Sequence, residues 1–480
     1  MKLVRVTAIF AFFILLASCG VFSVGGDYKK PKTKMPKNWI EAKNSKSLDN
    51  NISNLKESES KEGHWWKNFD DPILNKIIKK AIANNYDYKI AQSKLIEARA
   101  NLTSATSDLF PKSNLKSSSQ RGNNYFNFFN DGSKNQIVNF FSVGFDSSWE
   151  IDLFGSNKSS QEAAKALFEA SEESRNYILT SIIAEVAKNY VQFREAQNQL
   201  FVKQQINKIY EELLKLDLEK QKAGIISEVD SSKAEIVLIN SKSEISALEA
   251  KVEILRYNLE SLLNCRAGSM KKILQKSSEV PLVKKNIIID APVSLLQNRP
   301  DIKQSERELA ATFALKKYAF AQVFPKISLT NFLGFNNTQS GNVFQSSSKV
   351  FSIGASASMP VLNFGGVIAG YKISKEREKR AFLTYKNKVN NAIVEVESAM
   401  IDFLKEDENL VLKINELQIN QKVLDLKLAK YQSGLISNSE YLKSQIDFLN
   451  SEEKFISSSA SLSIKTIALY KSLGGSWIAN

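Results

Sequence analysis

The sequence predicts a mainly α chain with strands for a membrane β-wall, built as two tandem copies of one unit and closed only by assembly with further copies of itself. Three observations carry this prediction. The first is a rod: residues Asn157 to Gln221 contain neither proline nor glycine, and at 1.5 Å per residue such a helix is roughly 100 Å long. Its apolar residues Leu179, Ile183, Val186, Tyr190 and Phe193 step by 4 and 3, and Val202, Ile206, Ile209, Leu213 and Leu216 resume the stripe; this is coiled-coil spacing. The second is duplication. Val389, Ile393, Val396, Met400 and Phe403 repeat the first stripe 210 positions on, and Leu410, Ile414, Leu417, Leu424, Leu428 and Tyr431 extend it to Gly434. The third is a different period: Phe141, Val143, Phe145, Ser147 and Trp149 alternate with Ser142, Gly144, Asp146, Ser148 and Glu150, as in a strand with one apolar face.

At the amino terminus, Lys2 and Arg5 precede an apolar run from Ala8 to Ala17 that ends in Leu16-Ala17-Ser18-Cys19. The run is too short to span a bilayer and has the parts of an export signal, with small residues before a cysteine that resemble a bacterial lipobox. Residues 1–18 are therefore expected to be removed and Cys19 to become the acylated first residue. Gly20 stands where an inner-membrane retention signal usually places Asp, so that resemblance implies the outer membrane. The other cysteine, Cys265, then has no disulfide partner and is expected to be a half-buried residue at a helix end.

Residues 19–62 have linker composition, and order is expected from His64-Trp65-Trp66. The first repeat, 63–270, begins with helices over Ile73 to Ala83 and Tyr86 to Leu109. A weak strand over Ser113 to Phe129 follows, then a turn at Asn130 to Gly132, the alternating strand, the rod, and a second helix over Ser227 to Asn264. An inter-repeat segment spans 271–298. The second repeat, 299–480, recurs in the same order: Phe324-Pro325-Lys326 matches Phe110-Pro111-Lys112, and Phe364-Gly365 matches Phe154-Gly155. Strands are expected over Ile327 to Asn337 and through Phe351, Ile353, Ala355, Ala357, Met359 and Val361.

Four strands cannot close a barrel when the smallest membrane barrels use eight, and open edges do not persist in lipid. Several chains must share one ring, and three would supply twelve strands. The long helices would continue that ring as a tube. Phe141, Val143, Phe145, Phe351, Ile353 and Met359 are assigned to the lipid face. At the far end, Gly224 and Gly434 fall where a helix stop needs a left-handed residue. Ser227 with Asp230, and Ser437 with Glu440, have the spacing of capping boxes.

The net charge of +14 would suit an anionic partner, but the charges are spread along helices without a basic cluster interleaved with aromatics. They are read as solvated faces, not as a nucleic-acid surface. With one histidine, His64, no paired cysteines and no phosphate-binding glycine pattern, neither an enzyme nor a metal or cofactor site is expected.

Taken together, Trp65-Trp66 with Phe69-Asp70-Asp71-Pro72, Trp149-Glu150-Ile151-Asp152-Leu153-Phe154-Gly155, Arg299-Pro300-Asp301-Ile302 and the Gly434 turn resemble the outer-membrane efflux protein (TolC-like) family. The lipobox points to its lipoprotein branch serving resistance-nodulation-division pumps. The resemblance implies a homotrimer with a twelve-stranded β-barrel in outer-membrane lipids, a twelve-helix α-barrel across the periplasm and an equatorial belt. It also implies two partners, a periplasmic membrane-fusion adaptor and an inner-membrane transporter, and passive conduction of small toxic molecules or drugs. An exit duct for type I protein secretion is the alternative, and a structural coiled-coil lipoprotein is disfavoured by the alternating strands. By the same resemblance Asp230, Tyr431 and Glu440 line the periplasmic entrance, with Asp230 paired to Tyr431 on a neighbouring hairpin. Capping remains an equal reading for Asp230 and Glu440. Lys443 and Ile436 depart from the family pattern there.

Overall fold

The computed structural model describes residues 24–32, 35–40, 55–57, 64–123, 137–283, 287–289, 292 and 295–475. Cys19 with its apolar run and the turn at Asn130 to Gly132 lie outside the described residues. In chain order the main elements are α1 (Pro72–Asn84), α2 (Tyr86–Ser107), β1 (Lys112–Asn123), β2 (Ile137–Ile151), α3 (Ser156–Lys222) and α4 (Glu228–Leu262), followed by α5 (Pro300–Ala321), β3 (Lys326–Asn337), β4 (Lys349–Ser358), α6 (Phe364–Gln432) and α7 (Asn438–Ser472). The duplication is visible in the lengths. Helices α2 and α5 have 22 residues each, α3 and α6 have 67 and 69, and α4 and α7 have 35 each.

The chain forms two compact units. The first draws its described residues from 24–32, 94–171 and 304–385 and contains a four-stranded antiparallel sheet in the order β1-β2-β3-β4. Three junctions fix the sheet to its helices. Trp149 donates its indole N–H to the Leu109 carbonyl at 3.0 Å. Phe154, between β2 and α3, stacks on Phe324, between α5 and β3, at 4.7 Å, and Gln322 donates to Ser156 Oγ at 2.7 Å. Phe154 of the first repeat and Phe324 of the second thus join the two repeats where strands and helices meet.

The second unit, from 33–93, 172–303 and 386–480, is built on the heptad stripes. Leu179, Ile183, Val186, Tyr190 and Phe193 are fully buried, as are Val396, Met400 and Phe403. The α3 residues of that set share a core with Trp65, Trp66 and Phe69, and Trp65 stacks on Tyr470 at 5.3 Å. Asp71 caps α1 by accepting from the Ile73 and Leu74 N–H groups, with Pro72 at the first helical position. Its second oxygen accepts from the Tyr190 hydroxyl at 2.7 Å, and that hydroxyl accepts from Arg194 Nε at 3.0 Å. Arg299 plays the matching role in the second repeat, bidentate to Asp301, donating to the Ser472 carbonyl and paired with Glu395 at 2.7 Å. Cys265 sits half-buried just beyond α4 as a free thiol.

Two expectations need correction. Met359 lies beyond β4, which ends at Ser358; Pro360 lacks the N–H that would continue the ladder. Order does not begin at His64. Trp39 is fully buried, the Ile40 N–H donates to Glu397 at 2.9 Å, Tyr28 is docked against a helix, and Leu55–Glu57 pairs in parallel with Ile287–Ile289. A composition that is polar on average conceals single aromatic residues that each find a pocket.

Candidate channel wall and entrance

The sheet's register sorts its residues onto two faces. Pairing of Phe145 with Leu115 and Leu333, and of Leu333 with Phe351, lines up one residue from every strand. Leu115, Phe145, Leu333 and Phe351 are 70%, 56%, 59% and 78% exposed. A continuous apolar row this exposed is the pattern of a surface that meets something other than water. Phe141, Val143 and Ile353 share that face, since they occupy the same alternate positions. Ser118, Ser142, Asp146, Thr330, Ser352 and Ser356 occupy the other.

On this polar face two glycines pair directly, Gly144 with Gly334. A Cβ built on Gly144 would lie 2.6 Å from the Gly334 Cα and 2.8 Å from the Phe332 ring. The ring therefore covers both backbones, as an aromatic side chain does over a strand glycine. Only glycine fits either position.

The two helical turns are near-copies. Gly224 and Gly434 both have φ of 72°. The Ile225 N–H reaches the Lys220 carbonyl and the Leu435 N–H the Lys430 carbonyl, at 2.8 and 2.9 Å, the 6→1 bond of a Schellman stop. Beyond the turns the copies diverge. Asp230 completes its capping box, accepting from the Ser227 hydroxyl at 2.8 Å and from its N–H at 3.4 Å, and these bonds hold its carboxyl below its ordinary range. Ser437 accepts from the Glu440 N–H at 3.2 Å, but the Glu440 carboxylate turns across the hairpin to Lys427. That ammonium, with Lys430 and Lys443 behind it, lowers the carboxyl's pKa. Tyr431 stacks face to face on Tyr441 at 5.4 Å. The residues assigned to the entrance are thus placed at the two turns, each engaged within its own hairpin. Sequence reading missed Lys427 and Tyr441; Lys427, seven residues before Gly434, could have been found as a partner for Glu440, six after it, whereas Tyr431 and Tyr441 are not symmetric about the turn.

In the second unit, ion pairs and hydrogen bonds link the helices in a fixed order. Lys242 of α4 meets Glu211 of α3, Lys203 of α3 meets Glu453 of α7, and Lys454 of α7 meets Glu416 of α6. Helices α3 and α7 also share an apolar seam of Val202, Ile206, Leu213, Leu442 and Ile446. The outer members expose apolar stripes: Ile236, Ile239 and Ile254 on α4, and Leu412, Ile419 and Leu426 on α6.

A four-stranded sheet with one apolar exposed face in the first unit, and paired helical hairpins in the second, are the parts of a duct-forming outer-membrane channel. The chain belongs to the outer membrane efflux protein family, whose model matches residues 77–265 and 291–475. Its fold matches the outer-membrane channel OprN, with a TM-score of 0.83 and 29% identity over 95% of this chain and 99% of that one. Nodulation protein T of Rhizobium leguminosarum bv. trifolii is 27% identical over 93% of this chain and 91% of that protein. The probable outer membrane lipoprotein SilC of Salmonella typhimurium is 26% identical over 100% of this chain and 99% of its own length. The protein is an outer-membrane efflux channel, a conduit and not an enzyme.

Proposed function

We propose that three copies of this chain form a duct, anchored to the outer membrane through an acylated Cys19. An inner-membrane resistance-nodulation-division transporter and a periplasmic membrane-fusion adaptor would load it with small toxic molecules. The observation that carries this reading is a double set of open edges. Strands β1 and β4 end the sheet, and α4 and α6 end the series of linked helices with apolar stripes outward. Both problems have one kind of solution: β1 of one copy pairs with β4 of another, and α4 of one copy packs on α6 of another. Three copies give twelve strands, an allowed membrane barrel, and leave no edge in lipid.

The two glycine turns form the end that receives the adaptor, and Asp230, Tyr431 and Glu440 surround the entrance there. In that closed trimer, Asp230 and Tyr431 of neighbouring hairpins meet. The test is reconstitution in a strain stripped of its own efflux ducts. Expression with a cognate adaptor and transporter should raise the inhibitory concentration of pump substrates at least fourfold, and omission of any one component should abolish the gain. Equal resistance without the transporter would overturn the proposal.

A further inference from the structure

Tyr28 lies nine residues after Cys19 in a segment whose composition promised no structure, yet it occupies a built notch. Its ring packs against Ala166 of α3 and Ala310 and Ala311 of α5, and meets the Phe313 ring edge-on at 5.6 Å. Its hydroxyl donates to Glu306 Oε1 at 2.7 Å. Glu306 is itself 4% exposed and also accepts from Arg307 at 2.8 and 2.7 Å, while Arg307 reaches on to Glu169 of α3 at 2.9 Å. Burial and the Glu306 bond both push the phenol's pKa up, so it remains a neutral donor. An aromatic side chain in an alanine-lined notch with a buried carboxylate at its base is an anchor, not a chance contact.

The direction of the segment adds the second half of the argument. Gly25, upstream of Tyr28, lies against Lys317, where a Cβ would come within 3.1 Å of Lys317 Cγ. Tyr28 lies lower on α5, at Glu306 to Phe313. The segment therefore approaches the strand end of α5 as it is followed back toward Cys19. Lys317 stands about 6 Å of helical rise from the end of α5 at Ala321, and β3 begins five residues beyond that, at Lys326. Six residues from Gly25 to Cys19 reach at most about 20 Å. The notch joins α3, which continues directly from β2, to α5, which leads directly into β3. These are the two central strands of the sheet.

We infer that Tyr28 is a positioning residue for membrane insertion: seated between α3 and α5, it ties the acylated terminus to the helices that carry β2 and β3, so that the lipid delivers the sheet to the bilayer. This rests on the reading of Cys19 as acylated, which lipid labelling scores separately.

The experiment follows trypsin resistance of the sheet after urea-unfolded, acylated full-length protein is diluted into phosphatidylethanolamine–phosphatidylglycerol vesicles. Tyr28→Ala should carry the same lipid label as wild type and insert at least tenfold more slowly, with Tyr28→Phe between the two. In the Cys19→Ser background, Tyr28→Ala should cause no further slowing, because no anchor remains to be coupled. Ten Gly/Ser residues inserted between Cys19 and Gly25, which leave the notch untouched, should slow insertion as Tyr28→Ala does. An equal effect of Tyr28→Ala with and without the acyl group, or a silent Gly/Ser insertion, would reduce Tyr28 to a packing residue and overturn the inference. Wild type without lipid label would instead remove the anchor itself.

Discussion

Lys427 and Glu440 form an ion pair across the second helical turn, although Glu440 has the spacing of a capping-box carboxylate. The two repeats therefore present different charge at equivalent positions. Asp230 is tied to Ser227, with Lys233 only at 4.0 Å, whereas Glu440 is neutralised by a lysine with two more close by. Lys427→Gln should release the Glu440 charge and shift the reversal potential in a potassium chloride gradient toward cations. Glu440→Gln should shift it toward anions. Unchanged potentials in both variants would show that the pair lies away from the ion path. The pair also has a pH signature. Because the folded pKa of Glu440 is depressed, its stabilisation is present above the unfolded value and fades as pH falls through the folded one. The lysine-dependent difference between wild type and Lys427→Gln should accordingly vanish in acid, below the ordinary carboxylate range.

Gly224 and Gly434 isolate a backbone effect. Nothing lies within 4 Å of a Cβ at either site, so the cost of Gly→Ala is the left-handed conformation alone, about 1 to 2 kcal/mol each. An added methyl at one turn shares no neighbour within 4 Å with one at the other, so the effects should add. Chemical denaturation of single and double variants checks this; a neutral Gly434→Ala would contradict the conformational account.

Gly144 and Gly334 are the opposite case, limited by space. Ala at either forces backbone or the Phe332 ring to move, at about 1 to 3 kcal/mol or more, and should prevent formation of the heat-resistant assembled species. At Gly354 the added Cβ meets only Thr330 Oγ1 at 3.1 Å, and Gly354→Ala should assemble. Assembly of all three variants alike would show that the glycine pair does not limit the sheet.

The exposed apolar row sets the face. Arg at Val143 or Ile353 should cost about 2 to 4 kcal/mol if near the bilayer midplane and hinder outer-membrane integration, whereas Arg at Ser142 or Ser352, one residue away on the polar face, should not. Gel mobility before and after heating separates the outcomes. Equal tolerance on both faces would remove the assignment.

The period of the apolar residues made the long helices, the duplication and the strand faces legible, because burial recurs at 3.6-residue or two-residue spacing wherever one face meets a core. Glycine and serine marked both turns for equally local reasons. What the sequence concealed was side-chain choice between partners. Glu440 had two available, a backbone N–H three residues back and Lys427 across the hairpin, and spacing alone names only the first. Tyr28 and Trp39 bury within a lysine-rich stretch that has no period at all. Met359 continued an alternation that Pro360 had already ended.

The central claim is that one chain cannot close its own wall and three can. Native mass spectrometry of the detergent-purified protein, paired with single-channel recording of the same sample in a planar bilayer, tests it most directly. The account predicts a mass of three chains and stable conductance steps from that species. A folded monomer that conducts, or a closed assembly with a chain number other than three, would contradict it.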